Sequence, residues 1–327
     1  MSTANLVPET RDLTGDDAFE TLRRNGHRHL LADAFQRLRV SDGFSHARSL
    51  AFLSVLVVVQ GTIALVGLAS RLSNTAFSDA VLAAIRGIAP GPSGELLTAA
   101  ASQAQQAGNR HETIAIALGL FGCIFTATTF LGQFERALNR IYGVETDRPT
   151  TRKYGLAFLL ALVVGALLTA AFASVAYGGV HMVSLDGGLV DTAWQVARWP
   201  LGLVLAAAGL ALLSKWSPRR RQPRWSWLVF GALVGTSLWV IATLLLAGFF
   251  RWSRTFGETY GPLAGIVALS LWALLSSIAL LYGAAINAQL EAVRAQASAP
   301  QDTQKVVESE PEAEPTADAG VLVTNAR

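Results

Sequence analysis

The residues of this sequence that could do acid, base or metal chemistry are few and widely spaced. The five histidines stand at positions 27, 29, 46, 111 and 181, and Cys123 is the only cysteine. Away from the two ends of the chain the carboxylates are Asp79, Glu95, Glu112, Glu135, Glu145, Asp147, Asp186, Asp191 and Glu258. They show no metal-ligand spacing, whereas a nuclease needs converging carboxylates or a histidine acid/base pair. The sequence also lacks a GxxxxGKS or GxxxxGKT phosphate loop, so it predicts no enzyme, no cofactor and no metal site.

Polar recognition at membrane depth is the chemistry that remains. Gln60 and Gln133 lie in or at the end of apolar runs, where an amide costs several kcal/mol unless it is paired. In the last apolar run, residues that are mostly small or polar fall on one helical face because their spacing follows the 3.6-residue period: Trp272, Ser276, Ala279, Gly283 and Asn287. This face must contact something other than lipid, and it either lines a pathway or packs against a neighbouring helix.

A charged cluster follows the second apolar run. It consists of Glu135, Arg136, Asn139 and Arg140. Spacing predicts that Glu135 reaches Asn139 at i+4, while the two arginines, also four residues apart, need partners elsewhere. The cluster is either a cytoplasmic gate or lipid-headgroup contact, or a network that ties a loop to the helix ends.

The lead-in to the last apolar run combines turn residues with two possible ligands: Glu258, Tyr260, Gly261 and Pro262. Proline fixes φ just before a helix starts. Gly257, Gly261 and Gly265 repeat every four residues, a spacing that allows close approach of another backbone. Gly231 and Gly235 form a similar pair in the preceding run. Glu258 and Tyr260 are typical of a turn and of the interfacial aromatic belt, and only secondarily of a ligand site.

The elements that must position these residues are transmembrane helices. The chain has 327 residues, of which 52% are hydrophobic and only 15% charged, a composition that indicates a multi-spanning membrane protein. We predict an all-α fold in which residues 49–293 form a six-span membrane domain with short interfacial helices. The predicted spans are about 50–69, 114–133, 154–177, 196–214, 227–250 and 263–289.

The regions that flank the spans are polar. Residues 1–48 carry no signal-peptide pattern, and Leu31, Ala34, Phe35 and Leu38 share one face of a short helix. That helix either lies on the membrane surface or packs on protein. Between the first two spans, the pieces 76–88 and 95–106 are too short to cross and predict interfacial or extramembrane helices. Residues 294–327 are rich in Glu, Pro and Ala and predict a disordered acidic cytoplasmic tail.

The basic residues predict the orientation. Of 26 lysines and arginines, 20 lie in residues 1–48, 135–153 and 215–225 and in the segment after residue 289. The positive-inside rule then places both termini in the cytoplasm of a multi-pass inner-membrane protein. The same rule explains the basic loop 215–221 without RNA, so we expect membrane lipids but no nucleic acid as partners. The sequence does not specify the oligomeric state.

Three stretches resemble one family. The last span reads Tyr260-Gly261-Pro262, then Leu271-Trp272, then Leu281-Tyr282-Gly283-Ala284-Ala285-Ile286-Asn287-Ala288, which is similar to the C-terminal signature of the YihY/virulence factor BrkB family of six-span inner-membrane proteins. A second patch runs from Ala137 to Val144, is followed by Arg148, and is similar to that family's loop after span two. Ser49-Leu50-Ala51-Phe52 resembles the family's approach to span one. The resemblance implies the fold and the location.

Departures from the family pattern limit what the resemblance implies about activity. Val57 and Gln60 stand where the family usually has Ser and Pro, and Ala285 stands where it often has Glu. Members carry labels as transporters or virulence factors, and some an older ribonuclease label. Two hypotheses follow: a transporter or permease for an amphipathic or lipid-like solute, passive or ion-coupled, or a non-transporting scaffold or envelope-integrity protein that recruits partners.

Overall fold

The fold is a bundle of long helices. The computed structural model describes residues 3–71, 81–82, 85–86, 88–177, 189–297 and 300, and no strand occurs among them. The helices, numbered in chain order, are α1 (Gly15–Asn25), α2 (His27–Val40), α3 (Gly43–Arg71), α4 (Pro92–Ile141), α5 (Thr150–Tyr177), α6 (Leu189–Trp216), α7 (Trp225–Trp252), α8 (Arg254–Tyr260) and α9 (Ala264–Arg294). A 3-10 turn, Gly261–Leu263, joins the last two.

Six helices are long and apolar enough to cross a membrane, which confirms the predicted fold class. The stretches with this length and composition are Gly43–Gly67, Ala117–Ile141, Thr150–Phe172, Val196–Trp216, Trp225–Trp252 and Ala264–Arg294. Pro200 lies inside α6 and does not end the helix, so the fourth span exists despite its polar start. The helices α3, α4, α5 and α6 extend beyond these stretches, whereas α7 and α9 coincide with theirs.

The last helix, α9, is the centre of the bundle. It contacts α2, α3, α4 and α7, and every residue from Gly283 to Ala292 is buried. Small side chains at Ala284, Ala285 and Ala288 allow this close surround, because each leaves room for a neighbouring helix. The main apolar core joins them to Phe134, Leu138 and Ile141 of α4 and Leu50 of α3.

The N-terminal segment, the loops 142–149 and 217–224 and the end of α9 come together at one end of the bundle. This end is here termed the basic face. The helices α1 and α2 form a hairpin there, with Gly26 at φ +78° in the turn. The side of α2 that packs on the bundle is Leu30, Ala34, Arg37 and Leu38, whereas Leu31 and Phe35 are exposed. The predicted shared face of Leu31, Ala34, Phe35 and Leu38 is therefore split between protein contact and exposure.

The region between the first two spans differs from the sequence prediction. The piece 95–106 is not a separate helix, because α4 runs without a break from Pro92 to Ile141. Its first turns pack against the far ends of α3 and α9 through Leu97, Ala101, Val66 and Leu269. Most of the piece 76–88, and the acidic tail apart from its first residues and Pro300, lie outside the described residues.

Candidate functional site

All six spans line one cavity at membrane depth. Its volume is about 290 Å³ and it is partly open. The lining residues are Ser54, Phe130, Leu168, Ala206, Leu210, Gly235, Thr236, Trp239, Ser276, Ser277 and Leu280. The wall is apolar apart from hydroxyl groups and one indole, and no ionisable side chain is among these lining residues. The two α9 hydroxyls are engaged locally, since Ser276 and Ser277 donate to the carbonyls of Trp272 and Ala273 at 2.7 and 2.8 Å.

The small and polar stripe of α9 divides between the cavity and a helix interface. Ser276 lines the cavity, whereas Gly283 and Asn287 lie nearer the basic face and pack against α7. The backbone N–H of Gly231 donates to Asn287 Oδ1 at 2.9 Å, and Asn287 Nδ2 donates to the carbonyl of Leu228 at 3.1 Å. A Cβ atom on Gly283 would lie 2.5 Å from the carbonyl oxygen of Gly231. Asn287 therefore joins α9 to α7 with both ends of its amide.

The two predicted span glutamines lie elsewhere in the bundle. Thr126 donates its hydroxyl to Gln60 Oε1 at 3.0 Å, and the same amide packs on Gly122, where an added Cβ would be 3.1 Å from Gln60 Nε2. Gln60 thus pairs α3 with α4. Gln133 is half-buried on α4. Neither glutamine is among the residues that line the cavity.

Asp147 organises the charged cluster at the basic face. Its carboxylate accepts hydrogen bonds from Arg136 at 3.0 Å, Asn139 at 3.0 Å and Lys153 at 3.1 Å. Burial alone would raise the pKa of Asp147, but these three donors outweigh it and bring the pKa to about 2. Asp147 is therefore ionised at neutral pH and ties the loop 142–149 to α4 and α5.

The expected contact between Glu135 and Asn139 is not made. Glu135, 2% exposed, pairs with Arg148 at 3.2 Å. Asn139 accepts a hydrogen bond from the backbone N–H of Arg219 at 2.8 Å while it donates to Asp147. Loop residues compete for these side chains, and an i+4 neighbour on the helix offers a weaker, more solvated interaction.

The arginines of this cluster mainly hold backbone carbonyls. Arg140 donates to the carbonyls of Val144 and Glu145. Arg148 donates to the carbonyls of Trp216, Ser217 and Pro218, which include acceptors that the end of α6 leaves unpaired. The sequence prediction paired Asn139 with Glu135 and named no partners for Arg136 and Arg140, which the loop 142–149 supplies.

A second polar cluster at the basic face was absent from the sequence prediction. Arg220 and Glu291 form an ion pair at 2.7 Å, with side chains 2% and 0% exposed. Arg220 also lies over the ring of Tyr142, 4.5 Å from its centroid. Burial raises the pKa of Tyr142, and the nearby carboxylate of Glu291 adds to the rise. A usable signal was the i+4 spacing of Asn287 and Glu291 on α9, which put the carboxylate on the protein-facing side.

Residues 3–10 form an extended segment, here termed the strap, that crosses the basic face. The strap donates backbone hydrogen bonds from Ala4 to the carbonyl of Arg140 and from Val7 to that of Tyr142, at 3.2 and 3.0 Å. Thr10 donates its hydroxyl to Glu291 at 2.6 Å. Gly143 makes room for it: this residue has φ +79°, and an added Cβ would lie 2.4 Å from the Cα of Leu6.

Arg37 lies under the strap. It is 0% exposed and donates to three neutral oxygens, the carbonyls of Asn5 and Ile141 and the side-chain oxygen of Gln289, at 3.0, 3.1 and 2.9 Å. Burial lowers the pKa of Arg37 to about 10. It is still charged at neutral pH. One of its three acceptors belongs to the strap, so the strap supplies part of the hydrogen bonding of this buried charge.

The lead-in to the last span lies at the opposite, far face. Glu258 and Tyr260 belong to α8, and Gly261 and Pro262 form the 3-10 turn. Tyr260 is 45% exposed, and its ring packs on Phe256 at 4.7 Å. Of the glycines at 257, 261 and 265, only Gly265 meets a close neighbour: an added Cβ would be 2.8 Å from the Cβ of Leu96.

Metal-ligating residues do not gather in the part of the chain that the structure describes. No three of its His, Cys, Asp and Glu side chains come together as a metal site would require. At the basic face, the carboxylates of Glu135, Asp147 and Glu291 are paired with arginine or lysine. These pairs hold loops and helix ends together.

The fold defines an all-α, multi-pass membrane protein whose six spans surround a small cavity. The sequence matches the family model described as virulence factor BrkB over residues 34–307. The chain therefore belongs to the virulence factor BrkB family.

Relatives of this chain carry two kinds of name. It is 26% identical over 271 residues to the ribonuclease-like protein YfkH of Bacillus subtilis, which covers 80% of this chain and 94% of that protein. It is 28% identical over 181 residues to a UPF0761 membrane protein of Halorhodospira halophila, and the aligned region covers 54% of this chain and 39% of that protein. It is 25% identical over 270 residues to a UPF0761 membrane protein of Stenotrophomonas maltophilia, and the aligned region covers 77% of this chain and 58% of that protein. No solved structure matches this chain.

Proposed function

We propose that this protein moves a small amphipathic or lipid-like solute passively across the membrane. The observation that carries the proposal is the cavity of about 290 Å³ to which all six spans contribute. Ligand pockets are mostly apolar, with a few polar groups that orient the ligand, and begin near this size. The cavity is large enough for a single acyl or aryl segment beside a few hydroxyl groups, and its partial opening leaves room for the rest of a longer solute.

The lining favours passive movement over ion coupling. Coupled transporters usually carry an ionisable side chain within a span, and the lining residues of this cavity include none. Ala285, which replaces the glutamate that the family resemblance would put on α9, is 0% exposed in the core. Its position is filled by packing and leaves no space for a hydrated ion. The charged groups lie instead at the basic face.

We further propose that the basic face is cytoplasmic and that the protein resides in the inner membrane. The loops, the N-terminal segment and the end of α9, which together carry most of the lysines and arginines, gather there, and the positive-inside rule assigns such an end to the cytoplasm. In this conformation the strap and the two charged clusters cover that end of the bundle. Movement of a solute to the cytoplasm then requires at least the strap to shift.

The alternative function is a scaffold that recruits partners without transport. Its candidate elements were the N-terminal helix and the acidic tail. One side of α2 is already used by the bundle, and the tail lies outside the described residues except for Pro300. The ribonuclease-like name of one relative is a name of that protein alone, and the ion-paired carboxylates described above support no hydrolytic site here.

A lipid-flux measurement tests the proposal. The purified protein is reconstituted into vesicles that contain a fluorescent short-chain phosphatidylglycerol, and dithionite reduces the probe in the outer leaflet. We expect the probe to cross faster than in protein-free vesicles, and Ser276→Trp, which fills the cavity, to abolish the increase. Gly248→Trp is the matched control, because open space lies beside Gly248 on α7. Rates no higher than those of protein-free vesicles would reject transport of this solute class.

Thiol labelling tests the access route independently. In a Cys123→Ser background, Ser276→Cys lines the cavity whereas Ala285→Cys lies in the packed core. We expect a small membrane-impermeant maleimide to label position 276 and to leave position 285 unlabelled. Absence of labelling at both positions would show that water does not reach the cavity.

A further inference from the structure

The hairpin of α1 and α2 has one surface that the bundle does not cover. On α2 the exposed apolar residues Leu31 and Phe35 are flanked by the exposed Arg28 and Arg39. The only acidic residue of α2, Asp33, is half-buried. The open side of the helix is therefore apolar along its middle and basic at both ends.

Charge is also sorted along α1. Its first turn carries Asp16 and Asp17, and its last turn carries Arg23 and Arg24. The acidic end lies at the end of the bundle, because Asp17 and Glu20 pair with Arg294, the last residue of α9, at 3.1 and 3.3 Å. The basic end leads into the Gly26 turn. The tip of the hairpin therefore presents cations.

A hydrogen bond places the start of α2 well down the side of the bundle. Tyr282 of α9 donates its hydroxyl to the carbonyl of Leu31 at 2.9 Å. Tyr282 precedes Arg294 by about 18 Å along the helix axis, from the rise of 1.5 Å per residue. The first turns of α2 therefore lie near the level of Tyr282, well away from the end of α9.

That level coincides with one boundary of the hydrocarbon layer. Leu263, 59% exposed, marks the far end of the last span, and the helix from there to Tyr282 is about 28 Å long. The hydrocarbon core of a bilayer is about 30 Å thick. The start of α2 therefore lies at the edge of the hydrocarbon layer, where Leu31 faces acyl chains and the long side chain of Arg28, one turn away, can reach the headgroups.

The lipid-facing surface of the spans continues this patch. Phe35 packs edge-on against Phe44 at the start of α3, with ring centroids 5.8 Å apart. Two turns further along the same helix, Phe52 is 66% exposed. The exposed side of α2 thus joins the apolar surface that a bilayer covers.

We propose that the hairpin of residues 15–40 docks on the membrane surface and binds anionic phospholipid headgroups. Arg23 and Arg28 supply the charge: both are exposed, and neither pairs with a carboxylate in the described part of the chain. Leu31 and Phe35 supply the apolar anchor. This interaction goes beyond the proposed transport and does not depend on it, because it requires only that the six helices span a bilayer.

Site-specific quenching in nanodiscs tests the docking. In a Cys123→Ser background, a fluorescent label is placed at Leu31→Cys and, as the matched control, at Phe19→Cys. Phe19 is an exposed apolar residue of the same hairpin, but it lies between the residues that pair with Arg294. We expect nitroxide-labelled lipid to quench the label at 31 at least threefold more than the label at 19, and aqueous iodide to show the opposite preference.

The charge requirement is tested with the lipid composition. Phosphatidylglycerol added to phosphatidylcholine discs should increase the lipid quenching at position 31. In the double variant Arg23→Gln/Arg28→Gln, the apparent affinity for phosphatidylglycerol should fall by about 30-fold, since each arginine contributes about 1 kcal/mol near an anionic surface. Arg11 is exposed and precedes the hairpin, and Arg11→Gln should leave the response to phosphatidylglycerol nearly unchanged.

Three results would overturn the proposal. Strong iodide quenching at position 31, with no lipid quenching, would show that the hairpin stands in water. Shielding of position 31 from both quenchers would show that a second copy or another protein covers it. Lipid quenching that does not respond to phosphatidylglycerol or to the arginine substitutions would exclude recognition of anionic headgroups.

Discussion

The basic face and the cavity differ in the kind of polar groups they contain and in where the partners of those groups come from. At the basic face, buried charges are numerous and are satisfied by partners that come from distant parts of the chain, such as Arg220 with Glu291. Around the cavity the polar groups are neutral hydroxyls, and those of Ser276 and Ser277 are satisfied within their own helix.

Because of this difference, we expect the basic face to determine the stability of the fold and the cavity to determine the access of a solute. A network of buried charges tolerates little change, because each lost partner leaves an unpaired charge. A cavity lined by apolar side chains and self-satisfied hydroxyls costs little to reshape. We therefore expect substitutions at the basic face to affect folding and substitutions at the cavity to affect passage of a solute, and the following predictions test this division.

The largest effect is expected for the buried ion pair. Glu291→Ala or Arg220→Ala should each lower the free energy of unfolding by about 3–5 kcal/mol, because the remaining charge stays buried without its partner. Replacement of both by Met should cost less than either single change. The measurement is chemical unfolding in detergent. Arg24→Ala, which breaks an exposed pair with Glu20, should cost less than about 1 kcal/mol, and an equally small loss for Glu291→Ala would contradict the prediction.

A somewhat smaller effect is expected where α7 meets α9. A Cβ on Gly231 would lie 2.4 Å from both the carbonyl oxygen of Gly283 and Asn287 Cγ, so Gly231→Ala should destabilise by about 1–3 kcal/mol through overpacking. Gly248→Ala, on the same helix with open space around it, should be neutral or stabilising, since alanine favours a helix. Equal stabilities for the two variants would show that the helices separate easily.

The strap should loosen when Gly143 is replaced. Gly143→Ala combines φ +79° with a close contact to Leu6, and the left-handed conformation alone costs about 1–2 kcal/mol. Because the strap has an exposed side and can move, we expect it to detach with the bundle intact. Hydrogen exchange should then rise at Ala4 and Val7 and remain unchanged in α9. Unchanged protection of these two amides would show that the strap is held more strongly than its contacts indicate.

The pH dependence of the Asp147 network should be modest and confined to acid. The pKa of Asp147 in the fold, about 2, is below its unfolded value of about 3.9. Its contribution to stability is therefore complete above about pH 4 and is lost as the pH falls from 4 towards 2. Unfolding midpoints measured across this window should drop for the parent protein, and Asp147→Asn should reduce the drop. An unchanged slope in that variant would assign the acid sensitivity to other carboxylates.

The smallest effect on stability is expected at the cavity. Ser276→Ala removes only a hydroxyl that bonds to its own helix, so unfolding should change by less than about 0.5 kcal/mol. If the cavity conducts a solute, flux and selectivity should change instead. A large loss of stability in Ser276→Ala would show that the cavity also contributes to the stability of the fold, which would contradict the division between the two regions.

Much of this architecture follows from the sequence. Apolar runs of sufficient length determined the six spans, because a backbone in lipid must satisfy its hydrogen bonds within a helix. The period of 3.6 residues placed Ser276, Gly283 and Asn287 on one protein-facing side of the last helix. Basic residues in a few segments indicated one charged end of the bundle. These are local properties of the chain.

Tertiary structure alone decided which partner each polar group has. Asn287 and Ser276 share a helical face, yet one joins α9 to α7 and the other lines the cavity, because the backbone of α7 comes close to α9 at Gly231 and Gly235. Glu135 pairs with Arg148 and leaves Asn139 to Asp147. The strap finds its groove through backbone groups more than 130 residues away in sequence. Such pairings depend on how the helices cross and where loops return, which helical periodicity does not encode.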